Sequence, residues 1–325
     1  MNKIFNYTGQ GKSGKKIPDY KALFEIANPA HYIAEPALCD AVNVSIALGQ
    51  PLIVTGEPGT GKTQLAASIA YEYDIPLLEF YTKTTSIAAD LFYQYDAIRR
   101  FQDSQLPDRI IKVENYISYQ ALGVAILLTK RNKEVNNILP EEYRGKPPTR
   151  SVILIDEVDK APRDLPNDIL IEIERMQFKV VETGKTHIAD PKYRPIVILT
   201  SNSEKNLPDA FLRRCVFYHT TFPDSETLKS IVKKRFEYNK EIEPHFSDDF
   251  IESAIDHFIE IRELGLRKKP STAEFLAWIT MLKTLNLDVR NNQKNIQKSY
   301  TVLAKNYEDL HKLINFLQDK EETKP

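Results

Sequence analysis

The segment Gly56-Glu57-Pro58-Gly59-Thr60-Gly61-Lys62-Thr63 constrains this chain more than any other. It fits G-x-x-x-x-G-K-[ST] at every fixed position, and its flanks are of the kinds the motif requires. The apolar run Pro51–Thr55 (PLIVT) precedes it, and the alanine-rich stretch Gln64–Ala70 follows. Strand, loop and helix in that order make a cradle for phosphate. Glycines tolerate positive φ, so successive backbone N–H groups can converge on one point. A helix opening at Lys62 adds unpaired N–H groups and the positive end of its dipole. The expected ligand is the phosphate chain of ATP, with Lys62 on the β- and γ-phosphates and the Thr63 hydroxyl on Mg²⁺. The binding set is Gly56, Glu57, Pro58, Gly59, Thr60, Gly61, Lys62 and Thr63, with Gln64 on the first helical turn. Two other G-K-[ST] triplets, Gly11-Lys12-Ser13 and Gly184-Lys185-Thr186, lack the first glycine, because Asn6 and Lys179 stand there. They read as part of a polar arm and as a turn.

A phosphate loop needs a sheet to carry it. Besides PLIVT, short apolar runs occur at Leu77–Tyr81, Val152–Ile155, Ile196–Thr200 and Val216–His219, alternating with helical stretches such as Glu35–Leu48. Runs this short and apolar suit strands of a parallel sheet covered on both faces, hence an α/β layer fold. After Pro223 the strand signals cease. Asp248–Leu264 has an amphipathic helical pattern stopped by Gly265, Ser271-Thr272-Ala273-Glu274 is a capping box, and Tyr300–Leu317 is helical again. The expected organisation is a flexible polar arm over 1–30, an α/β nucleotide-binding domain over 31–222 and a small all-α domain over 223–325.

Further residues at strand ends complete the chemistry. Val152-Ile153-Leu154-Ile155 runs into Asp156-Glu157, and ligands of open α/β sheets bind at the carboxyl ends of strands. Asp156 is expected to hold Mg²⁺ opposite Thr63, and Glu157 to orient and deprotonate the attacking water. Thr200-Ser201-Asn202 ends another apolar run, which places the Asn202 amide where it can bond the γ-phosphate or that water. In Phe211-Leu212-Arg213-Arg214-Cys215, either arginine fits a finger delivered to a neighbouring subunit, or else a solvated basic turn or a salt bridge.

Composition weighs against several other classes. The formal net charge of -1 over 325 residues weighs against a nucleic-acid binder. Cys39 and Cys215 have no metal-ligand spacing, and the six histidines are scattered, so no side-chain metal site is expected beyond the Mg²⁺ at Thr63 and Asp156. No signal peptide or membrane span is legible, so the expected location is cytoplasmic.

The chain resembles the MoxR-type AAA+ ATPases, within the branch that has an insert in helix 2 and a β-hairpin before sensor 1. The likeness is carried by ALCDAVNVSIALGQPLIVTGEPGTGKTQLA, TKTTSIAADLFYQYDAIRRF, SVILIDEVDKAPRDLPNDILIEIE, LTSNSEKNLPDAFLRRC and RKKPSTAEFLAW. It implies an AAA+ P-loop NTPase sheet of order 5-1-4-3-2, a helical lid and a homo-hexameric ring with ATP at subunit interfaces. It also implies that Asn202 is sensor 1 and that Arg214, with Arg213 beside it, is the arginine finger. Val180–Ile188 resembles the hairpin, and Thr84–Tyr95 the inserted segment. Many relatives open a lid helix with an arginine, which is absent here. Lys269 or Lys268, just ahead of that helix, stands in its place, or else forms a solvated patch. Relatives of this type imply a chaperone-like remodeller of a protein client acting with a partner that carries a von Willebrand factor A (VWA) domain. The alternatives are a nucleic-acid-stimulated motor of the related helicase branch and an ATPase component of a bacterial defence system.

Overall fold

The computed structural model describes residues 28–106, 112–162, 164–203, 207–237, 247–290 and 293–322. Nearly all of the expected N-terminal arm, with Gly11-Lys12-Ser13, lies outside the described residues. The chain forms two compact units. One comprises Ala34–Glu57 and Gly61–Thr221. The other comprises Phe222 onward, the described residues up to Ile33, and Pro58–Thr60.

The first unit is built on five parallel strands: β1 (Leu52–Gly56), β2 (Leu77–Tyr81), β3 (Val152–Asp156), β4 (Ile196–Thr200) and β5 (Val216–Thr220). Their order is β5-β1-β4-β3-β2, as the family resemblance implies. The amino ends of β1 and β5 are aligned (Leu52 with Val216), as are those of β2, β3 and β4 (Val152 with Leu77 and Ile196), while β1 starts two residues along β4, at Ile198. The three central strands are buried at every residue, which is why their sequences read as unbroken apolar runs. The edge strands β2 and β5 keep partly exposed positions, where Glu79 and His219 are admitted.

Two small antiparallel pairs decorate this sheet. Tyr93–Tyr95 pairs with Ile117–Tyr119, and Gln177–Lys179 pairs with Thr186–Ile188. The second is the expected hairpin, and it begins three residues earlier than Val180. Gly184 sits near its turn with φ 69°. An aromatic cluster joins the two pairs: Phe178 stacks on Phe92 at 5.2 Å and on His187 at 5.1 Å, and Tyr119 meets His187 edge-on at 5.8 Å. Tyr93 Oη also accepts the Val181 N–H at 3.1 Å.

Burial of His187, with Lys130 and Lys185 nearby, pulls its imidazole from 6.5 down to about 4. The folded protein therefore keeps it neutral where the unfolded chain protonates it. Its contribution to stability is whole above pH 6.5 and is lost as pH falls towards 4. At pH 5 the loss is about 2 kcal/mol by this linkage. Urea midpoints between pH 7 and 5 are expected to fall less steeply for His187→Phe than for wild type; parallel slopes would refute this.

The second unit is all helical. Its main helices are Ser225–Glu237, Asp248–Glu263, Thr272–Thr284 and Tyr307–Glu322. They enclose Phe258, Phe275, Trp278, Leu282 and Tyr300. The capping box at Ser271 is formed in both directions. Two polar pairs lie inside this core: Trp278 donates to Ser299 at 2.8 Å, and His257 and Tyr300 share a bond of 2.7 Å. The stretch expected as one helix over Tyr300–Leu317 is divided. A 3₁₀ segment, Gln297–Val302, stops before 303, and the last helix starts at Tyr307. The break is polar: Asn306 accepts the Asp309 N–H, and the buried Asp309 carboxylate accepts the Arg267 and Lys268 N–H groups at 2.8 and 3.1 Å.

Candidate nucleotide site

The loop after β1 has the backbone its sequence calls for. Gly56, Gly59 and Gly61 take φ of 136°, 76° and 89°. At Gly56 a Cβ would stand 2.2 Å from the Thr220 carbonyl oxygen, so no side chain fits. The following helix, Lys62–Glu72, begins directly after Gly61. Lys62 is buried and donates to the carbonyls of Gly56 and Glu57, each at 2.8 Å. Burial pushes its ammonium below its ordinary range, and the carboxylates of Asp156, Asp159, Glu157 and Glu57 pull it back up. Glu57, Pro58 and Gly59 are exposed, while Thr60 and Gln64 are half-buried.

Two strand ends, of β3 and β4, meet beside this loop. Thr63 Oγ1 donates to the Asp156 carboxylate at 3.1 and 3.3 Å. The Thr200 hydroxyl donates to the same carboxylate. Glu157 donates its N–H to Thr200 Oγ1 at 2.9 Å and has left-handed backbone (φ 54°, ψ 48°). That conformation costs a non-glycine residue roughly 1–2 kcal/mol. Asn202 approaches Glu157 from β4, with Nδ2 3.4 Å from Oε1, and its own N–H is accepted by Asp159 at 3.2 Å. Lys160 makes an ion pair with Glu157, which raises the Lys160 ammonium above its ordinary value.

These residues fit a magnesium nucleotide. A hydroxyl and a carboxylate in contact are hard oxygen ligands, and Mg²⁺ takes one or two such groups together with phosphate oxygens and water. Among the described residues, no cluster of three or more His, Cys, Asp or Glu offers an alternative metal centre.

Not every expected site residue joins this group. Arg213 and Arg214 are exposed and lie just ahead of β5, whose first residue pairs with the first residue of β1. They therefore flank the amino edge of the sheet, whereas Thr63, Asp156, Glu157 and Asn202 gather at the carboxyl edge. Five residues of strand separate the two edges, ~15 Å at the usual rise. Arg214 rests against Glu174, with Nε 3.5 Å from Oε2. Glu174 is itself fixed through its carbonyl, which accepts from Arg194 at 2.9 Å; Arg194 also binds the carbonyls of Gly49 and Ile173. Lys269 is exposed and belongs to the helical unit, on the segment whose Lys268 N–H Asp309 holds.

Sequence reasoning did not assign Thr200, Asp159, Lys160 or Glu174. Only Thr200 had a usable signal, a hydroxyl ending an otherwise apolar strand beside the acidic one.

A model of the ATPase family associated with various cellular activities (AAA) matches residues 52–222. The gas vesicle ATPase GvpN of Haloferax mediterranei is 25% identical over 194 residues, covering 57% of this chain and 51% of that protein. GvpN1 of Halobacterium salinarum is 24% identical over 224 residues, covering 66% and 57%. The chain thus spans little more than half the length of these curated relatives. Among solved structures, a point mutant of Thermotoga maritima RuvB superposes with a TM-score of 0.48 at 16% identity, over 83% of this chain and 70% of that one. The Thermotoga maritima RuvB Holliday junction branch migration motor gives 0.42 at 17%, over 82% and 67%.

Proposed function

Because the chain belongs to the ATPase family associated with various cellular activities, we propose that it hydrolyses ATP at the Lys62–Asp156–Glu157 site within a homo-oligomeric, MoxR-type ring. The observation that carries this is the convergence of Thr63, Asp156, Glu157 and Asn202 at one sheet edge, with Arg214 at the other. The loop 56–63 binds the phosphates through its N–H groups and Lys62. Thr63 and Asp156 hold Mg²⁺, which neutralises phosphate charge when bound. Glu157 takes the proton of the attacking water, and Asn202 orients that water or the γ-phosphate. Arg214 sits too far from its own chain's phosphate loop to serve it, which favours delivery to a neighbour's site, with Arg213 beside it. Lys269 is proposed as the lid's contact to nucleotide.

The work done with this energy is proposed to be remodelling of a protein client, through a partner with a VWA domain. The near-neutral charge supports a protein client over nucleic acid. Among the described residues no helix is long and apolar enough to cross a membrane, and the site is proposed to work in the cytoplasm.

The test is ATP turnover per subunit across a protein dilution series, with and without Mg²⁺, for wild type and Lys62→Ala. Turnover is expected to need Mg²⁺, to vanish in Lys62→Ala and to rise per subunit with concentration. Flat turnover on dilution to nanomolar chain would remove the ring, and Mg²⁺-independent turnover would remove the site. A salt-sensitive stimulation by DNA or RNA would replace the protein client with a nucleic-acid track.

A further inference from the structure

Thr200 ends β4 and is buried, with 1% of its surface exposed. A hydroxyl has one proton to give and lone pairs to receive. Here the proton goes to Asp156 Oδ1, and a lone pair accepts the Glu157 N–H at 2.9 Å. One side chain therefore joins the carboxylate assigned to Mg²⁺ to the backbone of the residue assigned as base. The register explains how: β3 and β4 pair in parallel through Ile155↔Leu199, so the next residue on each strand stands alongside the other. Glu157 needs such a hold, because its left-handed backbone is unfavourable for a side-chain-bearing residue.

We infer that Thr200 is a positioning residue for hydrolysis, locking Asp156 and Glu157 into one rigid unit through its hydroxyl. The inference rests on the assignment of Glu157 as base. The effect is on geometry alone: the Thr200 hydroxyl is committed to Asp156 and to the Glu157 N–H, and it acts by keeping the Glu157 carboxylate where it can take the proton of the attacking water. Displacement of a reacting group by about 1 Å can cost on the order of 10²-fold in rate. Nucleotide affinity comes mainly from the loop 56–63 and is expected to change little.

Thr200→Val keeps the β-branched shape and removes the hydroxyl; Thr200→Ser keeps the hydroxyl. Steady-state kinetics and titration with a fluorescent ATP analogue, on the full chain, separate the possibilities. Thr200→Val is expected to lose roughly 10- to 100-fold in kcat, with KM and nucleotide affinity nearly unchanged. Thr200→Ser is expected to restore most of the rate. In a Glu157→Gln background, Thr200→Val is expected to cost nothing further, because the two changes disable the same step. Wild-type kcat in Thr200→Val, beside an inactive Glu157→Gln, would overturn this inference alone. An equal loss in both backgrounds, or a serine variant no better than valine, would do the same and leave Thr200 a packing residue. Full activity of Glu157→Gln by itself would overturn the inference and the base assignment together. If Thr200→Val fails to fold, Thr200→Ala against Thr200→Ser decides: equal rates refute the role of the hydroxyl.

Discussion

Arg214→Ala is expected to lower ATP turnover by ~10³- to 10⁵-fold, the range that arginine fingers contribute, or roughly 4–7 kcal/mol of barrier. Arg214 precedes β5 at the amino edge of the sheet, while the phosphate loop leaves β1 at the carboxyl edge. The side chain has no route across the sheet to its own site. Its recorded contacts are modest: an exposed pair with Glu174 and a bond of 3.3 Å to the Ala210 carbonyl. Exposed pairs contribute ~0–1 kcal/mol, so the variant is expected to stay folded, and a loss of rate is then a loss of catalysis. The decisive form of the experiment mixes Arg214→Ala with Glu157→Gln. An Arg214→Ala subunit retains Glu157, and a Glu157→Gln neighbour retains the finger, so mixed rings regain some complete sites. Recovery on mixing places Arg214 in trans. A normal rate for Arg214→Ala, or no recovery from two inactive partners that assemble, would remove the finger.

Glu157→Gln is expected to reduce kcat by ~10²- to 10⁴-fold, the usual range for a general base, while ATP still binds. Glutamine has the same length and keeps one of the two oxygens that Lys160 and Asn202 now share between them, but it cannot take a proton from water. The left-handed turn at 157 and its bond to Thr200 are backbone features, so the substitution leaves them in place. The variant is expected to retain affinity for a fluorescent ATP analogue and to hold ATP unhydrolysed. Turnover within a few-fold of wild type would sink the assignment. Joint loss of binding and turnover would instead make Glu157 part of the phosphate cradle.

The two substitutions probe opposite edges of one sheet, and that division marks how much was legible beforehand. Unbroken apolar runs announced β1, β3 and β4, because central strands of a parallel sheet are covered on both faces. Parallel strands share one carboxyl edge, so Lys62, Thr63, Asp156, Glu157 and Asn202 already shared an address once their strands were recognised. The break after the 3₁₀ segment Gln297–Val302 was missed, because apolar spacing carries on past it; what divides the helix is a polar knot of Asn306 and Asp309.

By itself, then, the sequence determined the five parallel strands, the phosphate loop and the residue types at their ends, because those depend on local spacing, apolar periodicity and the backbone freedom of glycine. Tertiary structure alone decided the lateral contacts: Thr200 between Asp156 and Glu157, Asn202 against Glu157, Glu174 against Arg214, and the left-handed backbone at Glu157. The physical reason is that a strand's pattern reports which of its faces are covered and not which strand covers them. The partners of these groups lie tens of residues away, and only strand order and register bring them within hydrogen-bond distance.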